Sequence, residues 1–330
     1  MKTKVTYLNT NSEFIENINL LNFDLIVADS NLQNLKFENN LSVGIEYLLV
    51  SEEKKILSTV ETIWEVFFNY DLNRNSKILF IGGGVLLDLC AFAASTYKRG
   101  VDFSLAPSTL LAMVDAAHGG KNGFNNEFGK NQIGTFSKPS NVIVCFELLH
   151  ELPESIYKDG LIELIKHSLI GDKGIFDYLI NSQTYHITFE VLKDGIQVKT
   201  SITDIDFHES NKRKLLNFGH TIGHLIEKDS DYEISHGQAV AMGIYYEMIL
   251  SKNHLNLDDK VINQYIEFLD KIKYENTYKF KSSKEELIAR LKNDKKSRKE
   301  SVEIILLNQI SDPQIVELNF SEVMEVIEYE

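Results

Sequence analysis

The chain has 330 residues, 43% hydrophobic and 25% charged, with a formal net charge of −14. That length accommodates two domains, and the composition is that of a globular chain with a sizeable core. The acidic balance argues against nucleic acid and anionic membrane surfaces as partners, because both would be repelled at long range; an anionic small molecule in a local basic pocket stays open.

Only two cysteines occur, Cys90 and Cys145, both in apolar runs, so they read as buried free thiols of a reducing compartment. The N-terminus, M-K-T-K-V-T-Y-L-N-T, has no long apolar core, so no signal peptide is expected. The longest apolar tract, residues 78–94, is broken by Gly82, Gly83, Gly84 and Asp88 and does not read as a membrane span. The expected setting is the cytoplasm.

In chain order, residues 1–10 alternate and read as an edge strand. Phe23 to Ala28 is a buried strand that ends in D-S-N. Asp29 and Asn31 then sit where the carboxyl end of a parallel strand presents ligand contacts, or where a plain Asx turn would put them. Residues 45–50 read as another strand. Glu52 to Tyr70 carries a helical pattern with Ile56, Val60, Ile63, Trp64, Phe67 and Phe68 on one face. Lys77 to Ile81 is a strand running into G-G-G-V-L-L-D-L. Strand, glycine cluster and helix together make a phosphate-cradling arrangement, although not the G-x-G-x-x-G form. Phe103 to Ala106 is a strand ending in P-S-T. Residues 113–136 are dense in glycine and read as a loop that buries little apolar surface; its lysines and carboxamides suit an anionic, hydroxyl-rich ligand, and a solvated loop is the plainer alternative. Asn141 to Phe146 is the closing strand. This alternation to about residue 150 predicts a parallel sheet with helices on both faces.

From Leu149 the pattern turns helical, with Leu152-Pro153-Glu154 as a start signal. Glu163 and Lys166 share a face of that helix. Residues 187–206 form an amphipathic run that contains Lys199. Residues 213–237 hold three of the nine histidines. His220 and His224, four apart, lie on one helical face, and His236 follows after a polar stretch. Such a set either ligates a divalent metal or merely packs, and spacing alone does not choose. Gly237 to Ser251 is an apolar helix, residues 257–292 hold two or three more, and Val302 to Leu307 is a strand. Between them lies a basic cluster, Lys295, Lys296, Arg298 and Lys299, which on its own reads as a solvated charge run. No internal repeat or low-complexity segment occurs.

Together these stretches resemble the 3-dehydroquinate synthase family of sugar-phosphate cyclases, from about Asp29 to Leu307. The motifs stand in family order: G-G-G-V-x-x-D, Y-K-R-G, P-S-T-L-L-A-M-V-D, G-G-K, G-K-N-Q-I-G, E-L-I-K, R-x-x-L-N-F-G-H-T-x-G-H and H-G-Q-A-V-A-M-G. The resemblance implies an α/β, Rossmann-like NAD-binding domain over residues 1–150. It implies a mainly α-helical metal- and substrate-binding domain over residues 151–330, with the active site between the two. It also implies one divalent metal, zinc or cobalt, on Glu163, His220 and His236, with His224 on the substrate side. Substrate contacts carry over to Asp115, Lys121, Asn131, Lys166, Lys199, Arg213, Asn217, His224 and Lys296, and to Arg99, which matches an arginine that reaches phosphate across a dimer interface. NAD contacts carry over to Asp29, Asn31, Glu52, Lys55, Gly83, Gly84, Asp88, Ser108, Thr109 and Lys130. The chain departs from the family pattern at Ala91 (usually Gly), His118 (usually aliphatic), Asn122 (usually Thr) and Glu151 (usually Thr), and S-R-K-E-S lacks the usual glycine.

The implied reaction converts 3-deoxy-D-arabino-heptulosonate 7-phosphate to 3-dehydroquinate and phosphate in the shikimate pathway, in a homodimeric lyase that does not consume NAD. Two alternatives share the fold. A sister cyclase would act on another sugar phosphate; Asp115, G-G-K and the Asn217–His224 set favour the dehydroquinate enzyme. A polyol dehydrogenase typically has a lysine soon after the glycine-turn aspartate, whereas Cys90-Ala91-Phe92 follows here. A non-catalytic paralogue would have no need of the intact triad.

Overall fold

The computed structural model describes residues 2–35, 40–292 and 300–329. They form two compact units, one up to Tyr157 and one from Lys158.

In the first unit the strands of the main sheet are β1 (Lys4–Leu8), β2 (Leu25–Asp29), β3 (Ile45–Leu48), β4 (Lys77–Gly82) and β5 (Asp102–Pro107). A separate hairpin, β6 (Lys121–Asn126) and β7 (Gly129–Phe136), comes before the last sheet strand, β8 (Asn141–Cys145). The helices are α1 (Asn11–Leu21), α2 (Leu57–Asn69) and α3 (Gly84–Thr96). The six-stranded sheet runs β1-β8-β5-β4-β2-β3 and every pairing in it is parallel. Leu25 to Ala28 and Ile78 to Gly82 are buried without alternation, as they must be where both faces of a parallel sheet are covered. Successive strands β3 and β4 lie on opposite sides of β2, so the order reverses there. The carboxyl ends of β2 and β4, carrying Asp29 and the glycine turn, flank this switch point, where open α/β sheets take their ligands. Helix α3 is buried on nearly every side, which its run of Leu, Cys, Ala and Phe permits.

Two expectations for this unit need correcting. Residues 113–136 are not a loop of little burial. Ala112–Ala116 form a wide, π-type helical turn with Met113 and Val114 buried, and β6 pairs with β7 in antiparallel register. Phe124 packs edge-on against Phe92 of α3, at 5.1 Å between ring centres. The glycines serve the pairing: a Cβ on Gly123 would stand 2.3 Å from the Ile133 carbonyl oxygen, so the two strands approach where neither has a side chain. Helix α2 begins at Leu57, not Glu52, and its inward face is Val60, Ile63 and Phe67. Ile56 and Phe68 are exposed, because Phe68 is turned about 100° away from Phe67.

The second unit contains most of α4 (Glu154–Gly171), then α5 (Lys173–Asn181), α6 (Phe189–Ile205), α7 (His220–Asp229), α8 (His236–Leu255), α9 (Asp259–Ile272) and α10 (Lys284–Lys292). An antiparallel hairpin, β9 (Ser301–Gln309) and β10 (Asp312–Asn319), leads to α11 (Phe320–Tyr329). The sequence reading missed β10 and α11. Helix α8 is the buried axis of the unit, and α7 packs against it at glycines. Gly219 holds φ +78°, which L side chains rarely adopt, and a Cβ on Gly243 would lie 2.0 Å from the Gly219 carbonyl oxygen. Close approach of the α7 start to the middle of α8 therefore depends on bare backbone. Among the described residues no helix is long and apolar enough to cross a membrane.

Candidate active site

The second unit gathers Glu163, Lys166, His220, His224 and His236. Glu163 and Lys166 lie one turn apart on α4, both buried, and form an ion pair. His220 is the first residue of α7 and His236 the first of α8, so each ring leaves the start of a helix. Oε1 of Glu163 is 3.5 Å from Nε2 of His220 and 3.5 Å from Nε2 of His236. The three ligating atoms lie within 4.8 Å of one another. A tetrahedral ion with bonds near 2.0–2.1 Å holds its donors about 3.3 Å apart, so one carboxylate oxygen and two imidazole nitrogens are spaced to share an ion. Three such donors leave a coordination position for substrate and suit zinc or cobalt.

The surrounding charges prepare the donors. Nδ1 of His220 faces the Phe218 carbonyl oxygen at 3.1 Å, which fixes the ring with Nε2 toward Glu163. Burial, and next the Lys166 ammonium, hold the His220 pKa well below the usual imidazole range, so the ring is neutral and able to ligate. Burial also works against a proton on His236, but Glu163 and Glu227 on its two sides outweigh it and hold that imidazole's pKa above its usual range. His224 stands 5.5 Å from His220 between ring centres and is the more exposed ring.

Arg213 and Asn217 lie on the tight turn Lys212–Asn217 that precedes α7. Arg213 is buried; its Nη1 donates to the Phe207 carbonyl and its backbone N–H to Asp206. Asn217 donates to Glu209 at 3.1 Å. The Asp206 carboxylate also accepts from the backbone of Asn211 and Ser210, and these N–H donors hold its pKa well below the usual carboxylate range. Lys199 is buried on α6. Lys296 falls outside the described residues.

The first unit gathers a second group. Asp29 ends β2 and its Oδ1 accepts from both the backbone and side-chain nitrogens of Asn31, which is the Asx turn. Gly83 caps α3 and Gly84 opens it. Lys55, almost fully buried, donates to Asp88 at 2.6 Å and to Asn131 at 2.7 Å, tying the start of α2 to α3 and to the β7 strand. Glu52 accepts from Asn125 at 2.7 Å. Ser108 is buried after β5, with its N–H on the Gly82 carbonyl, and the Thr109 hydroxyl accepts from the Ala112 N–H. Asp115 lies in the Ala112–Ala116 turn, and Lys121 and Lys130 lie on the hairpin. Arg99 sits on a left-handed stretch, Lys98, Arg99 and Gly100 at φ +48°, +69° and +109°. Two non-Gly residues held there in succession store strain that the fold must outweigh.

The departures from the family pattern are accommodated. His118 is buried with Nε2 2.8 Å from the Met113 carbonyl oxygen. Asn122 accepts from Thr135 and donates to the Gly120 carbonyl within the hairpin. Ala91 is buried in α3, and Glu151 ends the Phe146–Glu151 turn.

Three acidic residues went unnoticed in the sequence. Glu247 of α8 is fully buried and accepts from the Gly219 N–H at 2.6 Å, at the root of α7. Asp159 accepts from Ser235, the cap of α8, and from Tyr274. Glu227 lies beside His236. Its signal was present, since His220, His224 and Glu227 stand at i, i+4 and i+7 on α7.

A family model described as 3-dehydroquinate synthase N-terminal matches residues 47–159, and one described as 3-dehydroquinate synthase C-terminal matches residues 160–297. The chain is 33% identical over 318 residues to the 3-dehydroquinate synthase of Thermoanaerobacter pseudethanolicus, covering 92% of this chain and 89% of that one. It is 36% identical over 322 residues to that of Campylobacter jejuni subsp. doylei, covering 92% and 91%. Its fold is similar to that of 2-epi-5-epi-valiolone synthase from Streptomyces hygroscopicus subsp. jinggangensis, solved with NAD+ and Zn2+. The TM-score is 0.88 at 22% identity, over 99% of this chain and 96% of that one.

Proposed function

The chain belongs to the 3-dehydroquinate synthase family, and from that premise we propose that it converts 3-deoxy-D-arabino-heptulosonate 7-phosphate to 3-dehydroquinate and phosphate. The observation that carries the reading is the convergence of Glu163, His220 and His236, from three helices, on one point with metal-ligand spacing. We assign NAD binding to residues 1–150, and metal and substrate binding to residues 151–330.

In this reaction a ring hydroxyl is oxidised, which acidifies the neighbouring C–H. Phosphate then leaves by elimination, the carbonyl is reduced back, and the ring opens and recloses as a carbocycle by aldol addition. NAD, when bound, takes up and returns one hydride, and a divalent metal on the triad supplies Lewis acidity to the substrate hydroxyls. The chain's own residues do the rest. Burial, and next Lys166, keep His220 neutral, and Lys166 pairs with Glu163. Arg213, held by Asp206 and Phe207, and the buried Lys199 supply fixed positive charge for carboxylate and phosphate oxygens. Asn217 is oriented by Glu209 to hydrogen-bond a substrate oxygen. His224, half-buried beside the triad, is assigned to proton movement, and the departing phosphate itself is a competent base. In the first unit the glycine turn at the start of α3 suits a pyrophosphate, and Asp29 suits a ribose hydroxyl. The lysine-held cluster of Asp88 and Asn131 orders the hairpin that bears Lys121 and Lys130. Arg99 is assigned to substrate phosphate in a homodimer, and the cytoplasm is the assigned compartment, consistent with two free buried cysteines.

The test is phosphate release from the heptulosonate phosphate in the presence of NAD and zinc or cobalt, with absorbance followed for NADH. Phosphate without net NADH is expected. Net NADH would indicate a polyol dehydrogenase, and no phosphate from a metal- and NAD-loaded enzyme would indicate a different sugar phosphate.

A further inference from the structure

The two histidines of the triad are held from behind by different acceptors. Nδ1 of His220 faces a neutral backbone carbonyl, that of Phe218. Nδ1 of His236 faces a carboxylate instead: Oε1 of Glu227, at 3.5 Å. Glu227 is itself buried, and its other oxygen, Oε2, lies 4.0 Å from Nε2 of His224. A neutral imidazole has one N–H and one lone pair. When the N–H is at Nδ1, the lone pair at Nε2 points the other way, here toward Glu163. A carboxylate behind the ring selects that tautomer and makes the ligating nitrogen more basic.

Resting on the metal assignment made above, we infer that Glu227 is a positioning residue of the metal centre: its carboxylate accepts the Nδ1–H of His236 and so aims Nε2 at the ion. It performs this from α7, on the same stripe as His220 and His224, so one helix face supplies a ligand, a neighbouring proton carrier and the support for the ligand on the next helix. The same side chains allow one competing arrangement. Donor atoms of His224, Glu227 and His236 also lie within 4.8 Å of one another and form a second possible cation set. The two roles exclude each other, because Nδ1 of His236 cannot give a proton to Glu227 and bind an ion at once.

Metal stoichiometry, affinity and geometry test this without turnover. The full chain is stripped, reloaded with Co2+, and followed by metal analysis, by competition with a chromophoric chelator, and by the visible spectrum of the bound cobalt. The wild type is expected to bind one ion per chain. Glu227→Ala is expected to bind it about 10- to 100-fold more weakly with an altered cobalt spectrum. Glu227→Gln, whose amide oxygen still accepts the Nδ1–H, is expected to recover most of the affinity. Affinity within about twofold of wild type and an unchanged spectrum in Glu227→Ala would overturn the inference, as would two ions per wild-type chain. Should Glu227→Ala fail to fold, Glu227→Asp draws the carboxylate back by one methylene; weaker binding supports the role and unchanged binding overturns it. A wild-type chain that binds no divalent ion would remove the metal assignment itself, which is a different failure from an ion bound equally well without Glu227.

Discussion

Gly243→Ala tests the claim that bare backbone sets the metal centre. The added Cβ would stand 2.0 Å from the Gly219 carbonyl oxygen and 2.7 Å from the Gly223 nitrogen. These two atoms make the first hydrogen bond of α7, at 3.0 Å, one residue from His220. Ordinary carbon–oxygen contact needs roughly 3.3 Å, so the helices must part by about 1 Å. Both clashing atoms are backbone, and no rotamer relieves them. Alanine favours a helix interior over glycine by up to about 1 kcal/mol, while forcing a methyl into a packed contact costs about 1–3 kcal/mol. Subtracting the full gain leaves an expected loss of about 0–2 kcal/mol, a fall in Tm of at most a few degrees for a unit of this size. Function should suffer more than stability, since a misplacement of about 1 Å in a catalytic constellation costs on the order of 100-fold. Thermal unfolding, chelator competition for the bound metal, and phosphate release measure the three effects. A Gly243→Ala protein with wild-type Tm, metal affinity and turnover would refute the packing argument.

Three further outcomes are expected. His220→Ala should abolish both metal binding and phosphate release, measured by metal analysis and a phosphate assay; normal turnover in the purified variant would sink the ligand assignment. Lys55→Ala frees Asp88 and Asn131 from their shared lysine, so NAD affinity, followed by fluorescence titration, should fall by about 10-fold or more, the loss of two charge-assisted hydrogen bonds, while metal affinity holds. Equal NAD affinity would show that the cluster does not shape the cofactor side. Asp206→Ala should lower Tm at neutral pH. The folded-state pKa of Asp206 is depressed, so its contribution is present above the unfolded value of about 3.9 and is lost only as pH falls through the lower folded value. The Tm gap between wild type and variant should therefore stay constant from about pH 8 to pH 5, and a gap that closes within that range would contradict the hydrogen-bonded carboxylate.

Much of this was legible residue by residue. The continuous apolar runs at Leu25–Ala28 and Ile78–Ile81 announce buried parallel strands, and Pro153 marks the start of α4. The glycine-rich stretch at 113–136 misled because composition does not distinguish a glycine kept for flexibility from one kept for contact. Gly123 and Gly134 are of the second kind, and only the opposing strand reveals it. Glu227 was overlooked because it adds one more acid to an acidic chain until His236 is seen to turn Nδ1 toward it.

The sequence by itself determined the local periods and the family, because strand and helix patterns repeat within a few residues and motifs are contiguous. Tertiary structure alone decided which atoms face one another: that Glu163 meets His220 and His236 at equal distances, that Lys55 joins Asp88 to Asn131, and that Glu247 secures the root of α7. These contacts join positions far apart in the chain. The physical reason is that their partners are set by how helices pack, through the space left at Gly219 and Gly243, and no local pattern encodes that space.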